Sequence, residues 1–241
     1  MRLLDSTVAS DGFTRQTWVL PLARSKAFAL LLALLLINTL GASSAALAQS
    51  TTLNGCRIGP GALCPDIRLS DANLRNADLT GSLMSGVQLN GAELSGATMT
   101  DINLKKANLQ SARLDGALLK NADLGDANLQ QASLRGARLP NANLRSADLR
   151  EADLSKAVLR GATMVSANLK GATLQGADLR LANFDAANLF GADLRKADLR
   201  GANFEGTNLR EADLRGARID GSIRWINADT QGCKGCPVKP S

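Results

Sequence analysis

Residues 147–156 read Ala147-Asp148-Leu149-Arg150-Glu151-Ala152-Asp153-Leu154-Ser155-Lys156. A large apolar residue, position i of a repeat, recurs every fifth residue, with Ala at i−2. Outward from this stretch the pattern runs unbroken from Leu69 to Ile219. Of 31 such positions, 25 are Leu, and the others are Met84, Met99, Met164, Phe184, Phe204 and Ile219. Ala stands at i−2 in 26 of the 31. A period of five suits neither regular element. On an α-helix five residues advance about 500°, so successive Leu residues scatter over every face. In a straight strand an odd period throws them alternately to opposite faces. Only a chain that turns once per repeat gathers the Leu and Ala residues into one core.

Ala at i−2 and Leu at i point to the same side of a short extended segment, and the next three residues form a corner. Those residues are polar or Gly almost throughout, as in Arg75-Asn76, Lys105-Lys106, Arg195-Lys196 and Arg215-Gly216. Gly recurs at i+2 (Gly81, Gly86, Gly91, Gly96, Gly171, Gly176, Gly201, Gly206), where a tight or left-handed corner favours it. The pattern predicts a solenoid with an apolar interior and a hydrophilic skin.

The units Ala77-Asp78-Leu79-Thr80-Gly81, Ala147-Asp148-Leu149-Arg150-Glu151 and Ala202-Asn203-Phe204-Glu205-Gly206 resemble the A(D/N)LxG consensus of the pentapeptide-repeat family. The resemblance implies an all-β fold, a right-handed quadrilateral parallel β-helix with four repeats per coil. Nearly eight coils follow, about 35–40 Å long at about 4.8 Å per stacked strand. A twenty-residue turn places Met164, Phe184 and Phe204 in one column, so the two Phe rings are expected to stack. It places Asn108, Asn128, Asp148, Asn168, Asn188 and Asn208 in another, which reads as a hydrogen-bonded ladder along the axis or as a ligand stripe.

Four segments are expected: a signal peptide at 1–48, an N-terminal cap with a Cys pair at 49–66, the repeats at 67–221, and a C-terminal cap and tail at 222–241. Arg24 and Lys26 precede an uncharged apolar run, Ala27 to Leu40, and a small-residue stretch ends in Ala46-Leu47-Ala48. That order reads as a secretory signal cut after Ala48. An uncleaved anchor is the alternative, although a span needs about 20 apolar residues. The expected destination is the bacterial periplasm or the exterior, or a thylakoid lumen if the source is cyanobacterial. Cys56, Cys64, Cys233 and Cys236 all flank the repeats, and local disulfides, Cys56 with Cys64 and Cys233 with Cys236, fit an exported chain. Ile223, Trp225 and Ile226 are expected to plug the C-terminal end of the core against edge-to-edge association. Trp225 is otherwise a recognition residue or part of an end-to-end homodimer interface, an arrangement that the resemblance allows.

The chain has no His and no Tyr, so the usual acid–base groups are largely missing. Neither a catalytic residue nor a metal or cofactor site is predicted. The resemblance also brings in family members that protect DNA gyrase by mimicking DNA with an acidic surface. This chain has the wrong sign. Without residues 1–48 it loses four basic and two acidic residues, leaving 24 basic against 20 acidic, a net of +4. Lys120, Arg160, Arg180 and Arg200 share one column and read as a basic stripe; with no exposed aromatic series beside it, nucleic acid is not the expected partner. Leu118, Val158, Val165, Leu181 and Phe190 are apolar at outward positions, and Phe190 is the first choice among them as a contact residue. The leading expectation is an exported structural or protein-interaction scaffold with an unidentified protein partner. The alternatives are a gyrase-protecting DNA mimic and a thiol-redox protein using Cys233-Lys234-Gly235-Cys236.

Overall fold

The computed structural model describes residues 52–237. The signal segment and the last residues of the tail lie outside them. A short hairpin opens the described chain. Strand β1 (Thr52–Leu53) pairs antiparallel with β2 (Cys56–Arg57) through Asn54-Gly55, where φ is 48° and 83°. Two positive φ values are what a type I′ hairpin turn requires, and Asn-Gly is its preferred sequence.

Beyond the hairpin each repeat contributes one bridged residue, at i−1, to a parallel ladder. The bridges begin at Leu63↔Leu83 and join residues twenty apart as far as Asp198↔Arg218. The chain thus makes one turn per twenty residues, with four bridged columns around it. The Leu at i and the small residue at i−2 point inward, and nearly all of them are fully buried from Leu79 to Leu214. Apolar burial of this kind contributes on the order of 1.5–3 kcal/mol per Leu-sized side chain. Two buried polar side chains stand in the inner i−2 position, and both are satisfied. The Ser82 hydroxyl donates to Gly59 O (3.2 Å) and accepts from Ala62 N–H (3.0 Å), and Thr207 donates to Phe184 O (2.7 Å).

The unit 147–151 shows why the repeat holds its shape. Ala147 N–H closes the corner by donating to Leu144 O (3.2 Å). Asp148 N–H donates back to Ala127 O (2.9 Å), while Leu149 and Glu151 donate forward to Asn168 O (2.7 Å) and Lys170 O (3.0 Å). The one N–H left over, on Arg150, donates to the Asp148 side chain (3.2 Å). All five backbone donors are engaged, as a half-buried backbone demands. The preference for Asp or Asn at i−1 follows, because only a short side chain with an acceptor oxygen caps the i+1 N–H. Arg138 cannot do so, and the residue at i+1 there is Pro140, which has no N–H to cap.

The corner itself is a two-residue turn, tighter than the three-residue corner read from sequence. Every i+2 residue from Asp71 to Gly216 has a positive φ, whether or not it is Gly. With the i+3 N–H to i C=O bond, this is the pattern of a type II turn.

The ladder is longer than the assigned repeats at both ends. Ala62 and Cys64 already occupy the inner i−2 and i positions. After Arg218 the ladder continues with a slip of one residue, as Asn203↔Arg224, Asn208↔Asp229 and Asp213↔Lys234. Two end residues depart from expectation. Ile219, read as the last inward apolar residue, is 38% exposed, and Ile226, read as part of the plug, is 53% exposed. The slip explains both: the extra residue takes up the turn at 220–223, and Ile223 instead becomes the buried residue above Ala202.

Candidate interaction surface

The outward side chains form columns that climb the stack. In the column Gln88, Asn108, Asn128 the amides bond coil to coil (3.3 and 3.4 Å), and Asn168, Asn188 and Asn208 do the same (3.3 and 3.2 Å). Asp148 interrupts this ladder and accepts instead from Gln130 (2.9 Å).

Asp at i−1 and Arg at i+1 flank an inward Leu, so both project from the same face and meet. Arg180 grips Asp178 with two N–H groups (2.7 and 2.6 Å). Arg195 grips Asp193 (2.8 and 2.6 Å), Arg200 grips Asp198 (2.8 and 2.7 Å), and Arg215 grips Asp213 (2.9 and 2.6 Å). Asp178 lies beneath Asp198 and Asp193 beneath Asp213. The guanidinium clamps let like charges stack in adjacent rungs. Hydrogen bonds from these arginines hold the carboxyls of Asp178, Asp193 and Asp198 below the ordinary carboxylate range, and bring Asp213 down to about 2. At Asp148 burial pushes the other way, and the bonds from Arg150 outweigh it.

The predicted basic stripe is therefore a mixed column. Arg180 and Arg200 are committed to aspartates, whereas Arg160 follows Val158 rather than Asp and has no ion pair among the described residues. Pro140 separates Lys120 from the three arginines, and Lys120 lies apart from their groove. Arg160, Arg180, Arg200, Leu181, Asp220 and Ser222 line one open groove along a corner of the stack. Leu181 is 58% exposed and sits at i+2 with φ 59°. The other non-Gly residues in this conformation are Asn, Asp, Ser, Lys, Gln, Glu or Ala. A left-handed backbone costs an ordinary residue about 1–2 kcal/mol. Leu181 leans over Gly201, where an added Cβ would lie 2.6 Å from its Cδ2. The sequence showed Leu181 as apolar and outward but not its backbone strain. Asp220 and Ser222 enter the groove only because of the slip.

The remaining predicted residues lie elsewhere. Phe190 is half-buried with Lys170 Nζ 5.7 Å from its ring centroid. Trp225 is half-buried and ends an aromatic stack: Phe184–Phe204 and Phe204–Trp225 centroids are each 5.0 Å apart, with rings within 1° and 11° of parallel. The structure joins Cys56 to Cys64, both buried, and Cys233 to Cys236, both half-buried.

Pentapeptide repeats match in eight copies between residues 66 and 223. The chain belongs to the pentapeptide-repeat family. Among solved structures, a pentapeptide repeat protein involved in heterocyst differentiation regulation, HetL from the cyanobacterium Nostoc sp. strain PCC 7120, is 34% identical. The match covers 71% of this chain and 86% of that one, with a TM-score of 0.37. QnrB1, a plasmid-mediated fluoroquinolone resistance protein, is 19% identical over 66% of this chain and 89% of its own, with a TM-score of 0.49. A pentapeptide repeat protein from the Arabidopsis thaliana thylakoid lumen is 33% identical over 38% of this chain and 59% of its own, with a TM-score of 0.22. No functionally curated protein matches the chain at a significant level.

Proposed function

We propose that the protein is an exported, non-catalytic scaffold that presents fixed columns of side chains to a protein partner. The reading takes the fold as a right-handed quadrilateral β-helix of nearly eight coils. It places the mature chain, from Gln49, in a periplasm, outside the cell, or in a thylakoid lumen. One observation carries it: all five backbone N–H groups of a unit such as 147–151 are bonded, three of them to neighbouring coils. Outer side chains on such a backbone stand at a set spacing of about 4.8 Å along each column. The flanking Cys pairs and the apolar segment before Gln49 support export. The arginine-clamped aspartates speak against an acidic DNA mimic.

Two measurements on the protein from its native host test the two halves of the reading. The first is intact mass after alkylation of free thiols; a chain starting at Gln49 with no alkylated Cys supports export, and a full-length, alkylated chain rejects it. The second is residue-resolved crosslinking in intact cells. Repeated crosslinks from one face to one protein support a scaffold, and their absence from every face rejects it.

A further inference from the structure

We infer that the corner formed by Arg160, Leu181 and Arg200 docks an acidic peptide segment of a partner protein, one with an apolar side chain beside its carboxylate. The inference rests on the scaffold reading and names the chemistry of its contact.

Three features converge on this corner. Arg160 is the member of the 160, 180, 200 column that no aspartate holds, because Val158 stands where Asp178 and Asp198 stand one and two turns later. Its five N–H donors present a fork that fits a carboxylate. One turn on, Leu181 exposes a large apolar side chain from a left-handed backbone position that the same corner column fills with Asn at 121 and 141 and Gly at 161 and 201. A residue that opposes both the polar skin and its own backbone is expected where contact with another molecule compensates. Third, Gly201 leaves the space into which Leu181 leans, and Asp220 is tied to Ser222 and to Gly201 N–H, so the corner is formed before any partner arrives.

The charge pattern selects the occupant. Asp178, Asp198 and Asp220 lie beside the arginines, so the corner is a mixed field of balanced sign in which Arg160 is the arginine without an ion pair among the described residues, not a strongly positive surface. A membrane or a polyphosphate would meet those carboxylates as well as the arginines. A single carboxylate needs only the Arg160 end of the corner, where Val158 stands in place of an aspartate, with its apolar neighbour against Leu181. The two anchors are one coil apart, about 4.8 Å along the axis, a separation that neighbouring same-face side chains of an extended segment can span.

The test uses chain 49–241 as bait and a phage-displayed library of random linear peptides. Enriched peptides are expected to place Asp or Glu next to, or one residue from, Leu, Ile or Phe. Three variants follow. Arg160→Ala removes the cation, and Leu181→Asn installs the residue that the same column carries at 121 and 141. Val158→Asp supplies Arg160 with the partner that Arg180 and Arg200 already have. Each is expected to weaken the selected peptides at least about tenfold, roughly 1.4 kcal/mol, while Lys120→Ala leaves them unchanged. The Val158→Asp result is the sharpest, since it deletes no donor and adds the clamp seen at Asp178. Lack of an acidic–apolar pattern, or equal binding by all variants, would overturn the inference. So would Arg160-dependent binding to phosphatidylglycerol vesicles with none to the peptides. Crosslinks in the native host from another face would then leave the scaffold reading standing while this corner is rejected.

Discussion

At the scale of single residues, the protein repeatedly solves one problem, the donor at i+1. Removing the capping acceptor exposes it: Asn128→Ala is expected to cost about 0.5–1.5 kcal/mol, read as a lower denaturation midpoint with an unchanged denaturant slope. Leu181→Gly is expected to act in the other direction, raising stability by up to about 1 kcal/mol, since Gly takes a left-handed φ freely. The clamped aspartates give a pH prediction of definite sign. Their folded carboxyls titrate below the unfolded value, so their contribution is present above about pH 4. It is lost as pH falls through the lowered values, toward about 2 for Asp213. Acid should therefore destabilise the stack below pH 4, less steeply when Arg215 is replaced by Met, and by modest amounts because the pairs are solvent-exposed and salt-screened. Melting curves at several pH values check this. Much of it is written in the Asp193-Leu194-Arg195 and Asp213-Leu214-Arg215 triplets, although by spacing alone these residues belong simply to the hydrophilic skin. The flanking of an inward Leu turns them into clamps, and that is a property of the extended backbone.

At the scale of the repeat, the Leu and Ala period disclosed the turning chain, whereas the Phe184–Phe204 stack and the Asn column followed from spacing only once the family resemblance supplied four repeats per coil. The left-handed corners were half-visible. Gly at i+2 marked some of them, but the Lys, Glu, Gln, Ser and Leu residues that share the conformation carry no such mark, as stacking rather than local preference holds them there. The final rungs were missed for a simpler reason. Ala228-Asp229-Thr230-Gln231-Gly232 has the form of a repeat but stands one residue out of phase with those before it. The aromatic stack bridges that break, so Phe204→Ala is expected to cost about 3–5 kcal/mol and to loosen the C-terminal rungs first. Once residues 1–48 are removed, Trp225 is the single tryptophan. Its fluorescence should then change before the loss of far-ultraviolet signal from the stack, and coincidence of the two transitions in this variant would count against the prediction.

At the scale of the described stack, each turn touches only its neighbours, so stability is set by nearest-neighbour interfaces and the ends fray before the middle. Amide exchange should be slowest around Leu129–Leu179 and fastest in the rungs after Arg218. A uniform rate along the ladder would show that the stack opens as one unit instead. The bridging of residues twenty apart also works as a gear with four teeth. Inserting or deleting one five-residue unit advances everything downstream by a quarter turn, so such a change between Arg160 and Leu181 would send them to different faces while every rung stayed well made. Adding a whole turn of twenty changes only the length. Lineages that lengthen such a chain can do so by full turns without scrambling its faces. The single-residue slip after Arg218 is where the gear loses count, and it fixes how the terminal rungs are rotated relative to everything that precedes them.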